Sequence, residues 1–344
     1  MPERKYTTGH PEAEQQIDAL LDLWGAETDR EFFREMVVTI LKYIKDEPRP
    51  GDIRQFNTLM KELRYANAVF KPYSANRKIS IFGSARTPSH RNEFQAAHDF
   101  ARLMMESGYM VITGGGDGIM GAAQAGAGRE RSFALNIQLP FEQHANKTIE
   151  GDPKLINFKY FFTRKLNFVK HSNAIALFPG GFGTMDEGFE AITLMQTGKA
   201  PIVPVVMVDA PKGNFWRTFE RYLREHLLLD GLISPEDFHL IKITDNIEEA
   251  RKEVVTFYYN FHSYRYVRDI LVIRMQREIP PAALVRLRED FQDILVSEEP
   301  LAMCPTLPEE INEPEIAHLP RLCLHFNRKA YGRLRLLIDR INLY

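Results

Sequence analysis

The chain has 344 residues, with 44 basic against 46 acidic side chains and a formal net charge of −2. That length holds one large or two modest domains with a substantial core, and a near-neutral balance supplies no global field toward nucleic acid or an anionic membrane. No run of about eighteen apolar residues occurs, the polar start MPERKYTTGH lacks a signal-peptide core, and the two cysteines, Cys304 and Cys323, have no metal-like spacing. A soluble, cytoplasmic protein with reduced thiols is expected.

Residues 1–75 read as a helical extension. Ile17, Leu20, Leu21 and Trp24 recur at helical spacing within Ala13–Trp24, and Phe32, Phe33, Met36, Val37, Ile40 and Leu41 do so within Glu31–Lys45. Pro48, Pro50 and Gly51 interrupt before a third helix over Asp52–Phe70. No chemistry is legible there, and a helical cap is the default reading.

From Lys78 short apolar runs alternate with amphipathic helices. The expected strands are Ile79–Phe82, Tyr109–Thr113, Ser132–Leu139 (closed by Pro140), Asn173–Phe178, Ile202–Val208 and a short edge strand at Leu240–Ile243. Arg91–Ser107 is a helix stopped by Gly108. This alternation predicts an α/β fold, a Rossmann-like doubly wound parallel sheet over residues 76–257, with its ligand beyond the carboxyl ends of the strands. Residues 258–344 read as a small α+β appendage. Its expected parts are a strand over Arg265–Met275, a helix over Pro281–Leu295 and a proline-punctuated connector over Ser297–Pro320. A strand at Leu322–Phe326 and a basic helix at Lys329–Asn342 follow.

Three glycine-bearing turns fall after strands, at Gly83, at 114–121 and at 180–183. Gly116-Asp-Gly118-Ile-Met-Gly121 fits the GxGxxG pattern of dinucleotide sites. Such a site also needs an acid closing the next strand; Ser132–Phe141 has none, and Glu142 lies past a proline. A mononucleotide or sugar phosphate is therefore preferred to NAD or NADP. No GxxxxGK[ST] segment is present, so a P-loop is disfavoured. In Ala174–Glu190 a buried strand, a turn carrying Gly180, Gly181 and Gly183, and a helix opened by Thr184 build an anion site from unpaired amides. Asp186 and Glu187 sit where an anion would repel them unless aimed elsewhere. Thr184 and Glu187 also fit a capping box, which spacing alone favours over catalysis. Glu187 and Glu190 share a helix face. Arg164 and Lys165 could grip a phosphate or carboxylate, although a solvated helix start is the simpler reading of that pair. His98, His144 and His171 are scattered, so neither a metal site nor a Ser-His-Asp triad is expected.

The combination TGGGDGIMG, then Arg164-Lys165 fifteen residues ahead of PGGFGTMDE, resembles the LOG (LONELY GUY) family, formerly called lysine decarboxylase-like. The resemblance covers roughly residues 78–255. It implies a Rossmann-like homo-oligomer, at least a dimer, needing no metal or other cofactor. Such a protein hydrolyses the N-glycosidic bond of nucleoside 5′-monophosphates to free base and ribose 5-phosphate. By position it assigns catalytic roles to Arg164 and Glu187. It assigns phosphate contacts to Gly180, Gly181, Gly183 and Thr184, with Lys165 as a further point charge. Gly83, Ser84, the turn of Gly114, Gly115, Gly116 and Gly118, and Met120 line the same pocket; Asp186 and Glu190 are further candidates, Asp186 as a weak general acid. Phe168, Asn173 and Leu194 depart from the family pattern at packing and base-pocket positions. A non-catalytic nucleotide sensor and a pyridoxal-phosphate decarboxylase are the competing readings.

Overall fold

The computed structural model describes residues 6–138, 144–296 and 299–344. The expected positions Leu139, Pro140, Glu142 and Ser297 lie outside these. The chain divides into two compact units, Met1–Glu62 and Leu63–Tyr344.

In the first unit α1 (Pro11–Leu23) packs on α2 (Arg30–Lys45) through Ile17, Leu21 and Val38. Arg34 is fully buried between them and ion-paired to Glu14. After Pro48, α3 (Pro50–Phe70) begins on a proline that costs no helical hydrogen bond at that position. All three helices lie where the apolar spacing puts them.

The second unit is organised by a seven-stranded sheet, every pair of it parallel. Along the chain come β1 (Lys78–Phe82), α4 (Asn92–Glu106), β2 (Met110–Thr113), α5 (Ile119–Ala127) and β3 (Ser132–Ile137). Then follow β4 (Leu155–Phe158), α6 (Phe161–His171), β5 (Ala174–Leu177), α7 (Phe182–Gln196), β6 (Val205–Val208), α8 (Phe215–Tyr222), β7 (Ile241–Thr244) and α9 (Ile247–Thr256). The spatial order is β4-β3-β2-β1-β5-β6-β7. Side chains alternate across the sheet. Ile79 and Ile81 meet Phe100 and Met104 on one face, while Phe82 joins Phe133, Phe168 and Trp216 on the other. Both faces are covered, which is why the strands read as continuous apolar runs. The β4 edge strand was not anticipated: it is short and only alternately buried, so it gives no continuous apolar run. β6 starts later than expected because Pro204 has no N–H to give; its carbonyl instead accepts from Ile175 at 3.0 Å.

The C-terminal part forms a second, antiparallel sheet from β8 (Phe261–Val267), β9 (Ile270–Met275), β10 (Ala302–Cys304) and β11 (Arg321–Leu324). Its order is β10-β11-β9-β8, packed with α10 (Pro281–Asp290) and α11 (Tyr331–Ile341). The single strand expected over Arg265–Met275 is instead a hairpin. Val267 pairs with Ile270 across a turn in which Arg268 takes a φ of 54°. Apolar residues on both sides of so short a turn hid the break. The cysteines expected to be reduced are joined as a Cys304–Cys323 disulfide with a Cα–Cα distance of 6.0 Å. Neighbouring strands bring them together, which a separation of 19 residues did not reveal.

Candidate functional site: a glycine-lined cleft at the switch point

The strand order runs outward from β1 in one direction and from β5 in the other, so the crevice between them opens at their carboxyl ends. All three glycine turns converge there. Ser84 N–H donates to Pro179 O at 3.1 Å, and Ile119 N–H donates to Ser84 O at 3.0 Å, lacing the turns after β1, β2 and β5 together. Glycine is required where they meet. Gly118 has a φ of +60°, and a Cβ there would lie 2.3 Å from Ser84 O; one on Gly180 would lie 2.1 Å from Thr184 Oγ1. The result is a cleft of about 530 Å³.

Its walls include Gly83, Ser84, Gly114 and Met120 from the β1 and β2 turns, and Gly181, Gly183, Thr184 and Glu187 from the start of α7. Arg164 and Phe168 of α6 complete it. Gly115 and Gly116 stand behind the cleft, their carbonyls accepting from Asn146 Nδ2 at 3.0 and 2.9 Å. Gly118 faces an adjoining recess of about 400 Å³ with Asp117 and Asn146. Gly180 is covered by Thr184.

Thr184 does not open the helix. α7 begins at Phe182 with Gly181 as N-cap and no side-chain cap, so Thr184 is already in the first turn. The capping box expected of Thr184 and Glu187 is therefore absent. The reason is the glycine turn itself: Gly181 O accepts from Thr184 N–H and Met185 N–H, which moves the helix start forward. The N–H groups of Phe182 and Gly183 are left without helical partners. Glu187, freed from capping, is 6% exposed and accepts Arg164 Nη2 on Oε1 at 3.1 Å.

Arg164 is not a solvated helix start either. Its side chain is only 14% exposed, its guanidinium lies 4.9 Å from the Phe161 ring centroid, and its buried Nε has no hydrogen-bond partner. An unmet buried donor beside an amide cradle suits an incoming anion. Lys165 turns away from the cleft and binds Asp186 at 2.9 Å and Glu190 at 2.8 Å, standing 3.6 Å from Glu187. Burial pulls this ammonium down, and the three carboxylates outweigh it, so its pKa lies above the ordinary lysine value. Burial likewise raises the Glu187 carboxyl, against the opposing pull of Arg164 and Lys165. Lys165, Asp186 and Glu190 thus form a charge cluster beside Glu187.

Arg86 also lines the cleft and was missed, although a cation just past the β1 glycine turn was legible. Asn146 carried no signal at all. Of the three departures from the family pattern, Phe168 lines the cleft. Asn173 lies at the other end of β5, where its Oδ1 accepts from Lys78 N–H. Among the described residues no cluster of His, Cys, Asp or Glu suits a metal ion, and no helix is long and apolar enough to cross a membrane.

A parallel α/β sheet with a glycine-lined cleft and an arginine–carboxylate pair at its switch point defines a Rossmann-like protein. Residues 120–254 match the family described as possible lysine decarboxylase. A cytokinin riboside 5′-monophosphate phosphoribohydrolase of Mycobacterium tuberculosis is 28% identical over 181 residues, 50% of this chain and 95% of that protein. A probable enzyme of the same name from Oryza sativa is 27% identical over 179 residues, 50% of this chain and 74% of its own. Through this central half, the chain is similar to proteins of the LOG family. Among solved structures, a molybdenum cofactor binding protein of Rippkaea orientalis is 16% identical with a TM-score of 0.37, covering 51% of this chain and 93% of its own.

Proposed function

We propose that the protein hydrolyses the N-glycosidic bond of a nucleoside 5′-monophosphate, releasing the free base and ribose 5-phosphate. The observation that carries this reading is the largely buried Arg164–Glu187 pair beside the α7 amides. The amides of Phe182 and Gly183 and the unmet Nε of Arg164 take the 5′-phosphate, and that remote binding energy positions the sugar. Cleaving the ribosyl C–N bond builds oxocarbenium-like charge on the sugar. Glu187, held by Arg164 and Lys165, is the anion that stabilises that charge and orients water toward the anomeric carbon. The bond electrons leave with the base, and water supplies the hydroxyl and a proton. The names of the two relatives, each given for a cytokinin riboside 5′-monophosphate, support this chemistry, and the proposal itself leaves the base open among purines, pyrimidines and cytokinins.

Lysine decarboxylation is disfavoured on the residues present. Pyridoxal phosphate needs a lysine in the cleft. No described lysine lines it, and Lys165 is held by carboxylates. A homo-oligomer is part of the proposal, and Phe182, 96% exposed beside the cleft, is apolar surface that a second copy would cover. The test is incubation with a panel of nucleoside monophosphates, followed by chromatography for free base. Binding of AMP without release of free base from any member of the panel would instead identify a nucleotide sensor.

A further inference from the structure

The opposite edge of the parallel sheet carries a second concentration of chemistry that the nucleotide cleft does not use. At the amino ends of β1 and β5 two recesses adjoin, sharing Lys170 and Asn173. The smaller, about 250 Å³, is lined by Lys71, Ser74, Lys78 and His171. The larger, about 490 Å³, has an apolar and aromatic wall of Ile202, Tyr258, Phe261 and Tyr264, with Lys199 and His262 at its polar side. No aspartate or glutamate lines either one. Among the described residues no carboxylate pairs with any of these cations. Lys78 is 5% exposed and gives its ammonium only to the carbonyls of Tyr73 and Asn76, each at 2.7 Å. Lys170 binds the neutral Asn67 side chain at 2.6 Å. His171 Nε2 is buried and has no hydrogen-bond partner.

Lysines on a convex surface are ordinary solvated charge. Here four line two adjoining recesses, Lys78 buried and Lys71, Lys170 and Lys199 exposed around it, and no carboxylate of the lining meets their mutual repulsion. An anion would offset that cost. The aromatic wall next to it, in a recess within the ~300–1,000 Å³ range of small-molecule sites, suits an apolar body. We propose that this recess is a second ligand site for an organic phosphate, its phosphate among Lys71, Lys78 and Lys170 and its apolar or aromatic body against Tyr258, Phe261 and Tyr264. The site is separate from the cleft: Lys78 opens β1 and Gly83 follows its end, five steps of about 3.3 Å or roughly 16 Å apart. One helix touches both, since α6 brings Arg164 to the cleft and Lys170 and His171 to the recess.

1-Naphthyl phosphate is a suitable probe. Titrated calorimetrically into the full chain, it should bind at two sites, one at each sheet edge. The Lys71→Glu/Lys170→Glu variant should keep one site and release base from AMP at the wild-type rate. Equal stoichiometry in the two proteins would overturn the proposal. One site in the wild type and none in the variant would support this site while removing the phosphate cradle of the cleft. A soak of wild-type crystals needs no variant: density beside Lys170 and Tyr258 supports the proposal, and density confined to the Gly181–Thr184 turn overturns it.

Discussion

Replacing Glu187 by Gln changes charge while keeping shape. The carboxylate is buried and hydrogen-bonded to Arg164, so its oxygen can be replaced by an amide oxygen that still accepts Nη2. Glu187→Ala would leave a buried guanidinium uncompensated, at a cost of about 3–5 kcal/mol in stability, and would confuse folding with chemistry. The catalytic loss in Gln follows from Coulomb's law. A unit charge about 4 Å from a developing sugar cation, at an effective dielectric of about 20, is worth about 4 kcal/mol. That is about 10³-fold in rate. The phosphate contacts lie on other groups, so AMP affinity should change little. The assay pairs single-turnover adenine release, followed by chromatography, with calorimetric AMP binding to the same preparation. Base release within tenfold of wild type, with binding intact, would remove Glu187 from the chemistry.

Arg164→Lys keeps charge but loses the guanidinium fork, and KM should rise about 10–100-fold, the worth of one charged hydrogen bond. Because burial raises Glu187, the rate should fall as pH drops through a value above the ordinary glutamate 4.5, and Lys165→Met, which removes an opposing cation, should move that acid limb higher still. Gly180→Ala drives a methyl into Thr184 Oγ1 and within 3.0 Å of Ser84 N, so AMP binding should be lost in calorimetry, whereas Gly181→Ala meets nothing within 4 Å and should bind normally. His171 is held at about 4 by burial and by the Lys170 and Lys78 charges, against an ordinary 6.5. The unfolded chain therefore binds the proton more readily between those values, and stability should fall as pH drops from about 6.5 toward about 4. Thermal melts across that window should show a shallower fall in His171→Gln.

The parallel sheet was legible because its strands are buried on both faces and announce themselves as apolar runs such as Ile79–Phe82 and Tyr109–Thr113. Where burial is one-sided or the punctuation weak, reading failed. β4 exposes Asn157, and the β8–β9 turn is two residues set among valine and isoleucine. Convergence of the glycine turns followed from topology and needed no side-chain detail. Which way each ionic side chain points did not follow. From spacing alone Arg164 and Lys165 read as a solvated helix start and Glu187 as half of a capping box. Those directions are set by where α7 starts, and a single turn residue, Gly181, decides that.

The same shift resolves the oddity of three acids beside an anion cradle. Had Thr184 been the N-cap, Glu187 would lie in the first turn with its carboxylate on the amides that a phosphate needs. With Gly181 as cap, Asp186 and Glu187 fall one turn deeper, and α6 presents Arg164 and Lys165 to them. Asp186, Glu187 and Glu190 carry three negative charges against the two positive charges of Arg164 and Lys165, which leaves one in excess. The amides at the mouth stay free for an anion, and of the three acids Glu187 lines the cleft, where a cation forming on the sugar would find it. Moving the surplus should therefore act on the two ends of the nucleotide separately. Glu190→Gln neutralises the cluster without touching Glu187 or the amides. It should slow base release by less than Glu187→Gln and leave phosphate affinity unchanged, whereas a cradle crowded by its own acids would bind AMP more tightly in both variants.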